Sequence, residues 1–92
     1  MPPLRARILI SGDVQGVGFR YFAQDVADLL PVTGSVRNVP SGEVEIVVEG
    51  DRHAIDRLIA EVSEGPRFSR VSNVTVEWSR AEGRFTGFRI VR

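Results

Sequence analysis

The chain has 92 residues, with 12 basic residues, all of them arginine, against 12 acidic ones, and it has no cysteine. One small domain, 1–92, fits that length, with no room for a second core, and the 42% hydrophobic content is that of a globular protein. The missing cysteine excludes disulfides, a thiolate nucleophile and the cysteine-dependent phosphatases, the missing lysine excludes a P-loop lysine and Schiff-base chemistry, and the neutral balance does not suit gripping a nucleic-acid backbone.

Residues Arg5 to Ser11 read as a strand, with Ala6, Ile8 and Ile10 on one side and Arg5, Arg7 and Leu9 on the other. The run Ser11-Gly12-Asp13-Val14-Gln15-Gly16-Val17-Gly18-Phe19-Arg20 then forms a glycine-rich loop ending in an arginine. Tyr21 to Leu30 reads as a helix, because Phe22, Ala23, Val26, Ala27 and Leu30 fall on one stripe, and Pro31 ends it. Gly34 to Val39 reads as a strand, Pro40-Ser41-Gly42 as a turn, and Glu43 to Glu49 as an alternating strand. In that strand Val44, Ile46 and Val48 face one way and Glu43, Glu45 and Glu49 the other, which reads as a solvated face rather than a metal site, although three acids on one face could bind a cation weakly. Asp51 is placed as the N-cap of a second helix that buries Ile55, Leu58, Ile59 and Val62 and ends at Gly65-Pro66. Strands follow at Val71 to Trp78 and Phe85 to Val91. Phe19, Tyr21, Phe22 and Trp78 read as core or core-edge residues, and His53 as a solvated helix residue.

The order predicts an α+β fold, a ferredoxin-like split βαβ sandwich of βαββαβ plus a short terminal strand, with two helices on one face of an antiparallel sheet. No segment approaches membrane-spanning length, and Met1 to Arg5 carries no targeting pattern, so a soluble cytoplasmic protein with no membrane partner is expected. Monomer is the expectation for such a domain.

The loop is a phosphate-site candidate on physical grounds. Glycines bring backbone N–H groups close to an anion, a helix start adds unpaired donors, and an arginine grips two phosphate oxygens. Phosphate binding is therefore assigned to Gln15, Gly16, Val17, Gly18, Phe19 and Arg20. Asn38, just before the hairpin turn, is the second candidate, because a carboxamide can orient a water or bind an oxygen. Each feature has a plainer reading: a strand-to-helix turn for the loop, a surface ion pair for Arg20, a turn residue for Asn38. Asp13 reads equally as an orienter of Arg20 or as a turn residue. No strong base and no covalent nucleophile stands beside the candidates. That suits an acyl phosphate, whose carboxylate leaves without protonation, so that holding the phosphoryl group and placing a water suffice.

The segment Gly12 to Arg20 resembles the V-Q-G-V-G-F-R element of the acylphosphatases. Gly34-Ser35-Val36-Arg37-Asn38 is similar to that family's G-x-V-[RK]-N element, and Gly42-Glu43-Val44-Glu45 to its G-x-V-E strand start. The resemblance extends over essentially the whole chain. It implies the ferredoxin-like fold and hydrolysis of the carboxyl–phosphate bond of a small acyl phosphate, without a metal or other cofactor. By matching positions, Arg20 is the catalytic phosphate-binding arginine and Asn38 the catalytic water-orienting asparagine. Pro31, Ser35 and Ser41 depart from the family pattern, at the helix end, beside it and at the hairpin tip. Two other functions compete. One is a non-catalytic module holding phosphate or a carbamoyl group. The other is an RNA-binding sheet, which would carry aromatics on its central strands. Arg5 to Ser11 and Glu43 to Glu49 carry none.

Overall fold

A computed structural model of the chain describes residues 2–92. The elements are β1 (Leu4–Asp13), α1 (Phe19–Asp28), β2 (Val32–Asn38), β3 (Val44–Gly50), α2 (Arg52–Glu64), β4 (Arg70–Arg80) and β5 (Phe88–Ile90). One five-stranded sheet runs β4-β1-β3-β2-β5. β1 pairs antiparallel with β3 and β4, and β3 pairs antiparallel with β2.

β5 is the exception to the expected antiparallel sheet: it runs parallel to β2. The reason is where the chain must travel. β4 ends at Arg80, opposite Leu4, at the end of the sheet where β2 begins. The segment 81–87 runs along that end to the far edge, so β5 starts beside the start of β2 and shares its direction. It is also shorter than the expected Phe85 to Val91, spanning Phe88–Ile90, with the Gly34 N–H to Gly87 carbonyl and Val91 N–H to Val36 carbonyl bonds at its two ends.

The core lies between the sheet and the two helices. Ala6, Ile8 and Ile10 of β1, Val36 of β2, and Val44, Ile46 and Val48 of β3 meet Phe19, Ala23 and Ala27 of α1. Ala54, Ile55, Leu58 and Val62 of α2 close the cluster. Fully burying each large aliphatic side chain contributes about 1.5–3 kcal/mol. Ile59 is only half-buried, and Tyr21 is 65% exposed rather than at the core, since the stripe of α1 that faces the sheet runs through Phe19, Ala23 and Ala27. α1 begins two residues earlier than the periodicity indicates, at Phe19. Its last turn closes before Pro31 by Leu29 N–H and Leu30 N–H donating to the Val26 and Ala27 carbonyls. Asp51 does take the N-cap position of α2, with φ −65° and ψ 147°, but its carboxylate makes no capping bond.

The other sheet face is not simply solvated. Glu45 and Glu49 are buried, at 7% and 5% exposure. Register explains it: Arg5 faces Glu49 across β1 and β3, and Arg37 faces Glu45 across β2 and β3. Arg7 Nε and Arg37 Nε each donate to Glu45 at 2.7 Å, and Arg5 Nε donates to Glu49 at 2.8 Å. The long arginine stems cover the carboxylates they neutralise. Trp78 is not at the core as expected: it is exposed, at 37%, with the Arg52 guanidinium 4.1 Å over its ring.

Candidate active site

The glycine-rich loop spans the gap between the centre of the sheet and α1. Val14 and Phe19 anchor it in the core, at 1% and 2% exposure, and Gln15, Gly16 and Gly18 stand out between them. Two glycines turn the loop: Gly16 and Gly18 have φ of +77° and +79°, on the left-handed side where a side chain is strained. Gly18 is also the N-cap of α1, which has no side-chain cap and no acidic residue in its first turn. Among the described residues, no protein group accepts from the backbone N–H groups of Gln15 to Arg20. A row of free donors at a helix start is an anion cradle.

Gly12 sets the direction of the loop. It sits at a bulge in the β1–β4 ladder, where the register shifts between Ser11 and Gly12. Its φ is +124°, and a Cβ there would lie 2.0 Å from the Arg70 carbonyl oxygen. Only glycine allows β4 to lie so close while β1 swings into the loop. Asp13 ends β1 exposed, opposite Arg70, and makes no ion pair among the described residues, so a role in holding Arg20 finds no support.

Arg20 lies in the first turn of α1, half-buried, with no acidic partner among the described residues. Three arginines of the sheet, Arg5, Arg7 and Arg37, are paired with glutamates, whereas the donors of Arg20 have no acidic partner among the described residues. Asn38 ends β2. Its cross-strand partner is Val44, which is opposite Ile10 in turn, and both of those side chains lie in the core. Asn38 therefore projects from the helix-covered side of the sheet, at the end where the loop leaves β1. Its Oδ1 is buried and receives no hydrogen bond among the described residues. An unsatisfied buried acceptor costs about 1–3 kcal/mol, and such sites persist where function holds them.

The candidate loop is open to solvent at Gln15, Gly16 and Gly18. Clefts of about 450 and 550 Å³ lie elsewhere, around Leu30 and Pro31 at the opposite end of the sheet. A phosphoryl group needs donors more than enclosure, so the loop is a candidate on its chemistry and not on cavity size. No three potential metal ligands come together among the described residues; Glu45 and Glu49 take arginines instead. Burial pushes the Glu45 carboxyl up, but the hydrogen bonds and charges of Arg37 and Arg7 hold it below the ordinary carboxylate value. For Glu49 burial acts the same way and is outweighed by the Glu82 N–H, Arg5 and the Gly83 N–H.

The structure thus brings the loop, Arg20 and Asn38 to one end of one face. It adds a contact the sequence did not signal. Gln15 Nε2 donates to the Val39 and Glu43 carbonyls, both at 2.9 Å. Main-chain acceptors 24 and 28 residues away leave no residue-type pattern to read. Ser11 Oγ and Ser41 Oγ both donate to the Glu43 carboxylate, at 3.0 and 2.8 Å.

A family model described as Acylphosphatase matches residues 6–90. The chain is 47% identical over 90 residues to an acylphosphatase of Pelotomaculum thermopropionicum, covering 98% of each. Its structure is similar to that of an acylphosphatase from Bacillus subtilis, with TM-score 0.93 and 42% identity, over 97% of this chain and 99% of that one. It is also similar, at TM-score 0.87 and 35% identity, to 12% of full-length HypF in a phosphate- and nucleotide-bound form.

Proposed function

The chain belongs to the acylphosphatase family, and from that premise we propose how its own residues hydrolyse an acyl phosphate. The loop N–H groups of Gln15 to Phe19 and the Arg20 guanidinium hold the phosphoryl oxygens. They offset the charge that builds on those oxygens as the bond to the leaving carboxylate lengthens. Asn38 Oδ1 accepts from a water and aims it in line at phosphorus. The water oxygen bonds to phosphorus, the phosphorus–oxygen bond to the acyl group breaks, and the acyl carboxylate leaves with the electron pair. The water's proton passes to a phosphoryl oxygen, giving a carboxylate and dihydrogen phosphate. No step is assigned to a metal, a nucleophilic side chain or a strong base. Positioning of this kind supplies several kcal/mol, roughly 7–11 for a well-aligned pair.

The observation that carries this reading is the buried Oδ1 of Asn38, without a partner among the described residues, at the end of β2 opposite Val44. The test is hydrolysis of benzoyl phosphate in EDTA by the wild type, Arg20→Ala and Asn38→Ala. Arg20→Ala loses turnover and inhibition by inorganic phosphate. Asn38→Ala keeps phosphate inhibition and loses kcat. Near-normal turnover in Arg20→Ala refutes the reading. The likeness to part of HypF favours a second one, a phosphate-holding module; a folded wild type that binds phosphate without turnover selects it.

A further inference from the structure

We infer that Gln15 is a positioning residue whose side chain fixes the phosphate loop to the strand carrying Asn38. This rests on the roles just proposed for Arg20 and Asn38. The two catalytic groups sit on separate pieces of chain, Arg20 on α1 and Asn38 on β2, each held by its own contacts. The loop itself is exposed at Gln15, Gly16 and Gly18 and turns at two left-handed glycines, so its backbone alone sets no fixed distance to β2.

Gln15 closes that gap. Both donors of its amide are spent on the β2–β3 hairpin, one on Val39 and one on Glu43, which flank the Asn38–Val44 pair. The hairpin does not need these bonds to form. The Val39 carbonyl already accepts from Gly42 N–H at 3.0 Å, and the Glu43 carbonyl from Val39 N–H at 2.9 Å. Gln15 uses the second lone pair of each. The hairpin end is braced in turn by the Glu43 carboxylate, which ties Ser11 at the end of β1 to Ser41 in the turn. The departure at Ser41 thus has a use here: its hydroxyl helps hold Glu43. A tie that duplicates none of the hairpin's own backbone bonds, and joins the proposed phosphate holder to the proposed water holder, serves their relative placement. Misplacing a group by about 1 Å costs on the order of 100-fold in rate.

The experiment measures kcat for benzoyl phosphate, inhibition by inorganic phosphate and thermal unfolding for Gln15→Leu and Gln15→Glu, each alone and combined with Asn38→Ala. Neither side chain can donate to two carbonyls. Each single variant unfolds within a few degrees of wild type, since the position is exposed. Each lowers kcat about 10- to 100-fold while phosphate inhibition changes less than threefold. In the Asn38→Ala background the same substitutions add less than a threefold further loss, because the group being positioned is gone. A kcat within twofold of wild type, a parallel loss of phosphate inhibition, or an undiminished loss in the Asn38→Ala background overturns the inference. Normal turnover in Asn38→Ala alone overturns the proposed role of Asn38 itself, an outcome separate from the other three.

Discussion

Replacing Gly12 by alanine tests whether the close approach of β4 to β1 aims the phosphate loop. A Cβ at that position would stand 2.0 Å from the Arg70 carbonyl oxygen and 2.8 Å from the Ser72 nitrogen. Both are backbone atoms, so neither can rotate away; β4 must retreat by more than an ångström or Gly12 must leave its φ of +124°. Holding a non-glycine residue there costs about 1–3 kcal/mol, and overpacking a well-fitted site costs about 1–3 kcal/mol more. The expected loss is therefore roughly 2–6 kcal/mol, against a total stability of about 5–14 kcal/mol for a chain of this size. Gly83→Ala is the control. Gly83 also has a positive φ, +72°, but nothing within 4 Å of the added Cβ, so it isolates the conformational part. Urea unfolding of both variants at 25 °C gives the difference directly. Gly12→Ala should lose at least about 1 kcal/mol more than Gly83→Ala, and lose phosphate inhibition with it. Equal losses in the two variants would refute the steric account of the bulge.

Three other outcomes follow from the same geometry. Asn38→Leu removes a buried acceptor that no described protein group satisfies, so it should raise the melting temperature while turnover falls; a lower melting temperature would mean that the carboxamide is structural. Gly16→Ala and Gly18→Ala meet no atom within 4 Å, so each should cost about 1–3 kcal/mol of backbone strain but weaken phosphate binding severely, measured by inhibition. Glu45 and Glu49 titrate below their ordinary value of 4.5 in the folded protein. Their contribution is fully present above the unfolded value and fades as pH drops through the lower folded values. Melting temperature should therefore hold from pH 7 to about 5 and fall below about 4.5, and Glu45→Gln should flatten the fall; an unchanged slope in that variant refutes the pairing.

Much of this was legible because it is local. The alternation of Val44, Ile46 and Val48 and the helical spacing of Ile55, Leu58 and Val62 report burial through periodicity alone, and the structure buries all six. The glycines of the loop announce their left-handed turns, since few other residues tolerate them. The same logic misled at Glu45 and Glu49. Charge and alternation describe a solvated face, yet cross-strand arginines close over both carboxylates, and which arginine faces which glutamate is a matter of register between distant strands. Tyr21 erred for a similar reason: helical spacing allows several stripes, and packing against the sheet selects one.

By itself the sequence determined the order of elements and the apolar faces, and it singled out the glycine-rich loop, Arg20 and Asn38 as the candidates on which the proposed function rests, because each depends on a residue's own chemistry or on neighbours a few positions away. Only the tertiary structure decided the parallel course of β5, the burial of the arginine–glutamate network, the partnerless state of Asn38 and the tie from Gln15 to the hairpin. Those depend on which strand ends share one end of the sheet and which atoms meet across 24 to 44 residues of chain. Strand register sets that geometry, and no single stretch of sequence contains it.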